Sequence, residues 1–319
     1  MALSTENVNK IITEAQEIEA QEAKEAGSIG FMPRALTVAT MPHNKLLSKE
    51  KILFTNKDGS TKWIYPEDKA KSFIRKNGNF SLYMIPNPDY GLPYGTIPRL
   101  IIAWLTTEAV KTKSREIVLG RNIKNCMDAI GLKKTGGERG DINRFKQQIY
   151  RLFYCHIQCI YKTVENNLVN QNQDELNIIK KSYLWWDKND SQTNANKIEQ
   201  LPLFESYVLL SQEFFDEIIQ KPVPIDLRAI KALKNSSMAI DIYIWLTYKN
   251  SYLSKSSIVP WEYLQFQFGS NYKRLFDFRI AFKEQLLKVK AVYPDAHYEM
   301  NDKGLFLYPS PSHVKKLIK

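Results

Sequence analysis

Two short motifs recur at one fixed distance along the chain, and this repeat constrains the fold more than any other feature. Trp104-Leu105-Thr106 returns as Trp245-Leu246-Thr247, and Ile117-Val118 returns as Ile258-Val259, in each case 141 residues later. The apolar periodicity around both copies changes in the same order, from helix to short strand to two helices to a β-hairpin. The chain is therefore predicted to be an internal duplication.

In the first copy, a helix is predicted from Thr96 to near Lys113, with Pro98 in its first turn, where the missing N–H is harmless. The later elements of this copy are a strand over 115–119, a helix over 121–130, a helix that begins at Asp141, and a long β-hairpin made of residues 156–164 and 178–187. The Asn- and Gln-rich residues 166–177 are expected to be the loop between these two strands.

In the second copy, Asn271 is predicted to cap a long helix whose core side chains recur at helical spacing. These side chains are Leu275, Phe278, Phe282, Leu286 and Val289. A final hairpin is expected from residues 293–298 and 305–308, with its turn at 301–304.

This order of elements is that of a winged helix, in which the third helix enters the major groove and the hairpin touches phosphates. The predicted fold class is α+β, with two tandem winged-helix domains, an N-terminal acidic helix and a small β-element. The predicted boundaries are an extension over 1–78, a first domain with its linker over 79–200, and a second domain over 201–319. The extension combines a helix over 4–26 with a hairpin over 51–65 that turns at Asp58-Gly59.

The charge of the chain indicates a polyanionic partner. Lys and Arg total 45 against 34 Asp and Glu, a net charge of +11, although residues 1–26 are acidic. Double-stranded DNA is favoured over a membrane surface, because no basic amphipathic helix stands apart from the globular part. No apolar run is long enough to span a bilayer, no secretion signal is evident, and three cysteines are too few for a disulfide framework, so we expect a cytoplasmic protein without membrane contact. The acidic helix is either a solvated helix packed on the body or a partner-binding element.

Both third helices carry side chains suited to reading DNA. In the first, residues at i, i+3, i+4 and i+7 lie opposite the core stripe, and Arg and Gln are the side chains that make paired hydrogen bonds to guanine and adenine. The candidate DNA-binding residues of this copy are Arg139, Arg144, Lys146, Gln147, Gln148 and Arg151. Those of the second copy are Asn271, Tyr272, Lys273, Arg274, Arg279 and Lys283. The alternative interpretation is that any helix of a basic protein carries Arg and Gln on its solvated face.

The sequence argues against an enzyme. A rolling-circle nuclease needs a His-x-His metal pair, and the four histidines are never two residues apart. The phosphate-binding G-x-x-x-x-G-K-[ST] pattern is absent. Cys155, His156 and Cys159 lack the second ligand pair that a structural zinc site requires, so packing is expected for them, and no metal or cofactor is predicted. Trp185-Trp186 would stack on unpaired bases or pack in the core.

Several longer runs, in the same order along residues 28–314, resemble the RepA-type plasmid replication initiators. They are 91–99 (GLPYGTIPR), 103–110 (AWLTTEAV), 135–142 (TGGERGDI), 184–187 (LWWD), 222–229 (PVPIDLRA) and 241–248 (DIYIWLTY).

This resemblance implies a protein that binds direct repeats (iterons) in a plasmid origin, helps to open adjacent A·T-rich DNA and recruits the host replication initiator and the replicative helicase. It also implies repression of its own promoter, often as a homodimer. It assigns DNA contact to the helices expected at Asp141 and Asn271 and supplies no catalytic residue. The alternative function is a transcriptional repressor that binds a single operator.

Overall fold

The computed structural model describes residues 5–56, 58–120, 123–137, 140–165, 168–184, 205–269 and 272–314. The fold is mixed α+β, built from helices and several small antiparallel sheets. The N-terminal region comprises α1 (Thr5–Ala20), β1 (Ile29–Met32), α2 (Arg34–Val38), β2 (Ile52–Thr55), β3 (Thr61–Ile64), β4 (Phe73–Asn77) and β5 (Phe80–Ile85). Helix α1 is shorter than predicted, because the chain leaves the helix after Ala20 and turns as far as Gly27, whose φ is +62°.

The central part of the chain starts with a long apolar helix. Its elements are α3 (Thr96–Thr112), β6 (Glu116–Gly120), α4 (Ile123–Ala129), α5 (Asp141–Phe153), β7 (His156–Glu165), β8 (Leu168–Glu175), β9 (Ile179–Tyr183) and β10 (Ser206–Leu210). The C-terminal part comprises α6 (Gln212–Gln220), β11 (Val223–Asp226), α7 (Leu227–Ala232), α8 (Ser237–Asn250), β12 (Ser257–Pro260), α9 (Trp261–Phe268), α10 (Leu275–Val292), β13 (Tyr298–Met300) and β14 (Gly304–Leu307).

The repeat of 141 residues is visible in the positions of the elements. Helix α3 begins at Thr96 and α8 at Ser237, while strand β6 begins at Glu116 and β12 at Ser257, so both pairs keep the same offset. The offset is lost at the third helices, which begin at Asp141 and Leu275. The first helix and the strand of each copy thus hold the register, and the segments after them differ in length.

Two three-stranded antiparallel sheets have the same strand order. One is β6-β10-β9 and the other β12-β14-β13, so in each the strand that follows the first helix pairs with the last strand of its sheet. In the second sheet, β13 and β14 form the C-terminal hairpin expected from the sequence.

The hairpin predicted from residues 156–164 and 178–187 was wrong. Strand β7 pairs instead with β8 on one side and with β5 on the other, in the sheet β4-β5-β7-β8. Ile157 and Cys159 of β7 are buried beside Leu82 and Met84 of β5, which explains the apolar composition of this strand. Strand β8 lies at the edge, where backbone hydrogen bonds suffice and polar side chains remain in water. The Asn- and Gln-rich segment is therefore a strand and not a loop.

The N-terminal region is joined to both later parts of the chain. Strand β1 pairs with β11, and β4-β5 completes the sheet of β7 and β8. At Gly30 the backbone lies so close to Leu227 that an added Cβ would stand 2.4 Å from its Cδ2 atom, so this position requires glycine. Helices α3 and α8 lie at the centre, and most of their side chains are buried.

Candidate nucleic-acid interface

A buried ionic network joins the two central helices. Arg99 of α3 donates through Nε and Nη2 to the two carboxylate oxygens of Asp241 in α8, at 2.7 and 2.6 Å. His43 donates through Nε2 to the same carboxylate at 2.7 Å, since a carboxylate can only accept. Arg99 also donates to the backbone carbonyls of Met41, Pro42 and Gly95. Every strong donor and acceptor of the triad is paired, so the network fixes α3 and α8 relative to each other.

The protonation states of the triad follow from its surroundings. Burial would raise the pKa of Asp241, but the Arg99 charge and the hydrogen bonds from His43 and Arg99 outweigh it, and the pKa lies below its ordinary value. Burial lowers the pKa of His43 in spite of its hydrogen bond to Asp241. At neutral pH the network therefore consists of one ion pair, Arg99 with Asp241, and a neutral imidazole.

An open cleft of about 390 Å³ lies where the first turns of α3 and α8 approach each other. Thr96 and Ser237 line it from these two helices. Arg144 of α5 and Tyr272, which precedes α10, line it from the two predicted DNA-reading segments. The structure thus brings residues from both copies to the rim of one cleft.

The exposed part of α5 is its N-terminal half. The Arg144 side chain is 64% exposed and lies 3.4 Å from the Asp141 carboxylate, a surface ion pair that solvent weakens. Gln147 is exposed and Lys146 is half-buried. These three side chains can be approached by a ligand from solvent, whereas Arg139 lies outside the described residues.

The expected exposure of Gln148 and Arg151 was wrong, because both residues are buried. Arg151 forms a two-pronged ion pair with Glu67, donates to the Leu92 carbonyl at 3.0 Å and stacks on the Tyr94 ring. The Gln148 side-chain oxygen accepts from the Tyr94 amide at 3.0 Å. The segments around residues 67 and 92–94 cover the C-terminal half of α5, so these two side chains hold the helix to the N-terminal region.

The helix predicted to begin at Asn271 begins at Leu275, and Asn271 itself lies outside the described residues. The Tyr272 amide donates to the Gly269 carbonyl at 2.9 Å, and its own carbonyl accepts from the Gln265 side chain, so Tyr272 belongs to the turn that ends α9. This turn delays the start of the helix.

The basic residues around α10 differ in how far they are engaged. Arg274 is paired with Asp277, which raises the arginine pKa and lowers that of the carboxylate. Arg279 stacks on the Trp261 ring and donates to Asp302 at 3.0 Å. Lys273 and Lys283 are exposed. The ion pairs involve exposed carboxylates, so phosphates can replace them at small cost.

Sequence reasoning missed the triad and two exposed apolar surfaces. The signal for the triad was a charged residue inside each apolar helix, Arg99 and Asp241, but periodicity does not show that the two residues meet. On α10, Phe276, Ile280 and Leu287 are 67%, 55% and 65% exposed, on the side away from the core. The hairpin of β2 and β3 carries the other exposed apolar surface.

The cysteines pack as expected for buried thiols. Burial raises the pKa of Cys126, Cys155 and Cys159 to about 12, so all three are protonated at neutral pH. Among the described residues, no group of His, Cys, Asp and Glu side chains is arranged to hold a metal ion. Within the same part of the chain, no helix is long and apolar enough to cross a bilayer. Trp185 and Trp186 lie outside it.

Comparison with known proteins gives one firm result. No curated protein matches the sequence. Two crystal structures of domains 2 and 3 of RctB resemble the fold at TM-scores of 0.47 and 0.48, with 12% and 10% identity; they cover 85% and 86% of this chain and 94% and 98% of theirs. These scores are too low to establish a shared fold. Residues 92–262, more than half of the chain, match the family described as plasmid-encoded RepA protein. The chain belongs to this family of plasmid replication initiators, and membership implies that it binds DNA at the origin.

Proposed function

We propose that the chain initiates plasmid replication by binding direct repeats in the origin through two winged helices. The observation that carries this proposal is the pair of sheets β6-β10-β9 and β12-β14-β13, whose strand order is identical. Each sheet is associated with a helix, a strand and two further helices in the same sequence order. A helix–strand–helix–helix unit closed by a three-stranded antiparallel sheet is the winged-helix arrangement, and its third helix is the one suited to the major groove.

The internal duplication accounts for the shared offset of α3 with α8 and of β6 with β12. The first winged helix falls within 79–200 with β10 added from beyond that boundary, the second falls within 201–319, and 1–78 is the extension. The wings are then β9 with β10 and β13 with β14. The hairpin of β7 and β8 is an insertion between the third helix of the first copy and its wing.

Base contacts come from the ends of the third helices that face solvent. In the first copy, Arg144 and Gln147 read base edges and Lys146 meets a phosphate. In the second copy, Tyr272 and Lys273 precede the helix, and Lys283 lies along it. Arg274 and Arg279 exchange their surface carboxylate partners for phosphates when DNA binds. Arg139 and Asn271 remain candidates for the same role.

The triad of Arg99, Asp241 and His43 makes the two DNA-reading helices one rigid reader. Two such helices held at a fixed separation can occupy successive major grooves, roughly one helical turn apart, so one chain can read a site that otherwise needs a dimer. Phosphate contacts supply affinity and salt sensitivity, and base contacts supply the preference for the repeats.

Opening of the adjacent A·T-rich DNA draws on the binding free energy accumulated over several repeats, without nucleotide hydrolysis or other catalysis by this chain. The opened origin then receives the host initiator and the replicative helicase. Binding at its own promoter as a homodimer would make the same protein a repressor of its synthesis.

The first test compares two variants on a DNA fragment that contains the origin repeats. Arg144→Ala combined with Gln147→Ala removes two base contacts and is expected to weaken binding by at least tenfold, since each contact contributes roughly 1–3 kcal/mol. Lys111→Ala, at the exposed far end of α3, is the control and should change the affinity less than about threefold.

A chemical footprint on the same DNA decides between initiator and repressor. Evenly spaced protected repeats beside a segment that reacts with a single-strand probe support the initiator. A single protected operator without reactive bases would support a transcriptional repressor instead. Equal affinity of the Arg144 and Gln147 variant and the unaltered chain would remove α5 from the DNA interface.

A further inference from the structure

The hairpin of β2 and β3 is an arm whose two faces are both uncovered. The two strands pair only with each other among the described elements. On one face Trp63 lies opposite Leu53, and on the other Phe54 lies opposite Lys62. Trp63 is 65% exposed, and its apolar neighbours in the arm are all more than 40% exposed. An isolated two-stranded hairpin of this composition is marginal in water, so the arm is built to receive a partner.

The arm is nevertheless ordered at both ends. At its tip the Asn56 side chain donates to Ser60 at 2.7 Å, and the Ser60 amide donates to the Asp58 carboxylate at 2.9 Å. At its base the backbone joins the body through the bridge between Leu47 and Glu67. The arm therefore presents its apolar side chains from a defined support.

The base of the arm is attached to the candidate DNA-reading helix α5. Glu67, two residues after Tyr65, forms the ion pair with Arg151 near the C-terminal end of that helix. The arm thus begins where the covered half of α5 ends. A nucleic acid bound along the exposed half of α5 has a continuous surface on which to reach the arm.

The charge of the arm selects the class of partner. Residues 48–66 contain four lysines against one glutamate and one aspartate, which gives a net charge of +2. The Lys51 ammonium lies 5.2 Å from the centre of the Tyr65 ring, so charge and aromatic surface alternate along one face. A second copy would bring an arm of the same positive charge, whereas a polyanion complements it.

The apolar character of the arm selects among polyanions. The grooves of duplex DNA present polar base edges, and the flat apolar faces of the bases are stacked on each other. These faces become accessible only when the strands separate, and aromatic side chains then stack on them in a manner that tolerates any sequence. We propose that the arm binds unpaired DNA, with bases stacked on Trp63 and Tyr65 and with Lys51 and Lys62 at the phosphates.

This inference rests on the proposed origin-opening function and adds a role to it. A strand released beside the repeats would be held by the arm while α5 remains on the duplex. Capture of one strand stabilises the open state by mass action, because a ligand that binds only the open form shifts the equilibrium toward it. The binding site for unpaired DNA is thereby separate from the residues that read the repeats.

The test measures fluorescence anisotropy of a labelled 20-nucleotide oligothymidylate and of a labelled repeat duplex with the full-length chain. Trp63→Ala combined with Tyr65→Ala should weaken oligothymidylate binding at least about tenfold, since one stacked base contributes an effect of that order or more. Both side chains are exposed, so folding should be retained. Affinity for the duplex should change less than about twofold. Tyr252→Ala, which removes another exposed aromatic ring, is the matched control and should leave both affinities unchanged.

A second variant tests the electrostatic part. Lys51→Gln with Lys62→Gln should weaken oligothymidylate binding and reduce its dependence on salt concentration, because fewer counterions are released on binding. Lys255→Gln, at an exposed position outside the arm, is the control and should leave the salt dependence on oligothymidylate unchanged.

The other outcomes would overturn the proposal in distinguishable ways. If the unaltered chain binds the repeat duplex but not oligothymidylate, the arm has another partner and the origin-binding function stands. If it binds neither DNA, the proposed function fails as well. Unchanged oligothymidylate affinity in the aromatic variant excludes the arm as the site, and a simultaneous shift from dimer to monomer in sedimentation would make it a self-association surface.

Discussion

The two copies of the repeated unit share their order of elements and differ in which surfaces they leave open. In the first copy, the C-terminal half of α5 is covered and held by the ion pair of Arg151 with Glu67. In the second, the side of α10 away from the core carries exposed Phe276, Ile280 and Leu287. The same architecture therefore presents a short polar reading surface in one copy and a long, partly apolar surface in the other.

The paired strands differ in the same sense. In β6, Ile117 is buried and Val118 is exposed, whereas in β12 the matching Ile258 is exposed and Val259 is half-buried. The first sheet also contains a register shift at Ser206 and Tyr207 of β10. Because neighbouring side chains of a strand point to opposite faces, the repeated Ile-Val pair serves the core through different residues in the two copies. Similarity of sequence at a fixed offset thus preserves the order of elements more strictly than it preserves burial.

The largest effect is expected where the two copies meet. Asp241→Ala leaves the buried Arg99 charge without its partner and should destabilise the chain by roughly 3–5 kcal/mol. Asp302→Ala removes a fully exposed partner of Arg279 within the second copy, and its effect should stay below about 1 kcal/mol. Urea denaturation of both variants measures the difference. Equal losses would mean that the triad does not hold the two copies together.

An acid-induced loss of stability should come next in size and separate the second copy from the joint. Burial lowers the pKa of His313 to about 4, where its Nδ1 lies 2.6 Å from the Tyr243 hydroxyl. The unfolded chain binds this proton near pH 6.5, so stability is lost as the pH falls from about 6.5 toward 4, by roughly 3 kcal/mol in total. His43, whose pKa is also lowered, adds a loss of the same sign.

Thermal unfolding followed at several pH values measures this loss. His313→Gln should flatten the profile in the range from pH 6.5 to 4, and His156→Gln, a partly exposed residue of the first copy, serves as the control. An unchanged profile in the His313 variant would show that this imidazole is already protonated in the folded chain.

The smallest effect is expected on the open side of α10. Phe276→Ala removes a side chain that is 67% exposed and should change stability by no more than about 0.5 kcal/mol. Phe278→Ala, two residues later but fully buried, should cost roughly 3–5 kcal/mol. The two variants can be compared in one urea titration. A large loss for Phe276 would place this side chain in a contact between copies of the chain.

The elements that the sequence predicted well are those whose signals are local. The start of α3 at Thr96, the hairpin around Asp58-Gly59 and the core face of α5 follow from caps, turn residues and periodicity. The first-copy wing could not be predicted in this way, because the apolar strand β7 has its buried face against β5, which lies more than 70 residues earlier. Periodicity shows that a strand is buried, but it does not show which strand is its neighbour.

The candidate interface was predicted only in part for a related reason. Helical spacing correctly placed Arg144 and Gln147 on the outer side of α5, and it placed Arg151 on the same side. Arg151 is nevertheless buried, because a segment from the N-terminal region covers that end of the helix. The pairing of Arg99 with Asp241 is equally distant in sequence. Solvent exposure and long-range ion pairs depend on tertiary packing, which a pattern within one helix does not contain.

The pairing of β1 with β11 has a consequence for how the protein is made. Ile29 leaves the ribosome roughly 200 residues before its partner Asp226. At a synthesis rate of about 5–20 residues per second, the strand waits on the order of 10–40 s with its edges unpaired. The close packing of Gly30 on Leu227 and the completion of this two-stranded sheet thus come late in biogenesis, so the N-terminal segment closes the fold after most of the chain has been translated.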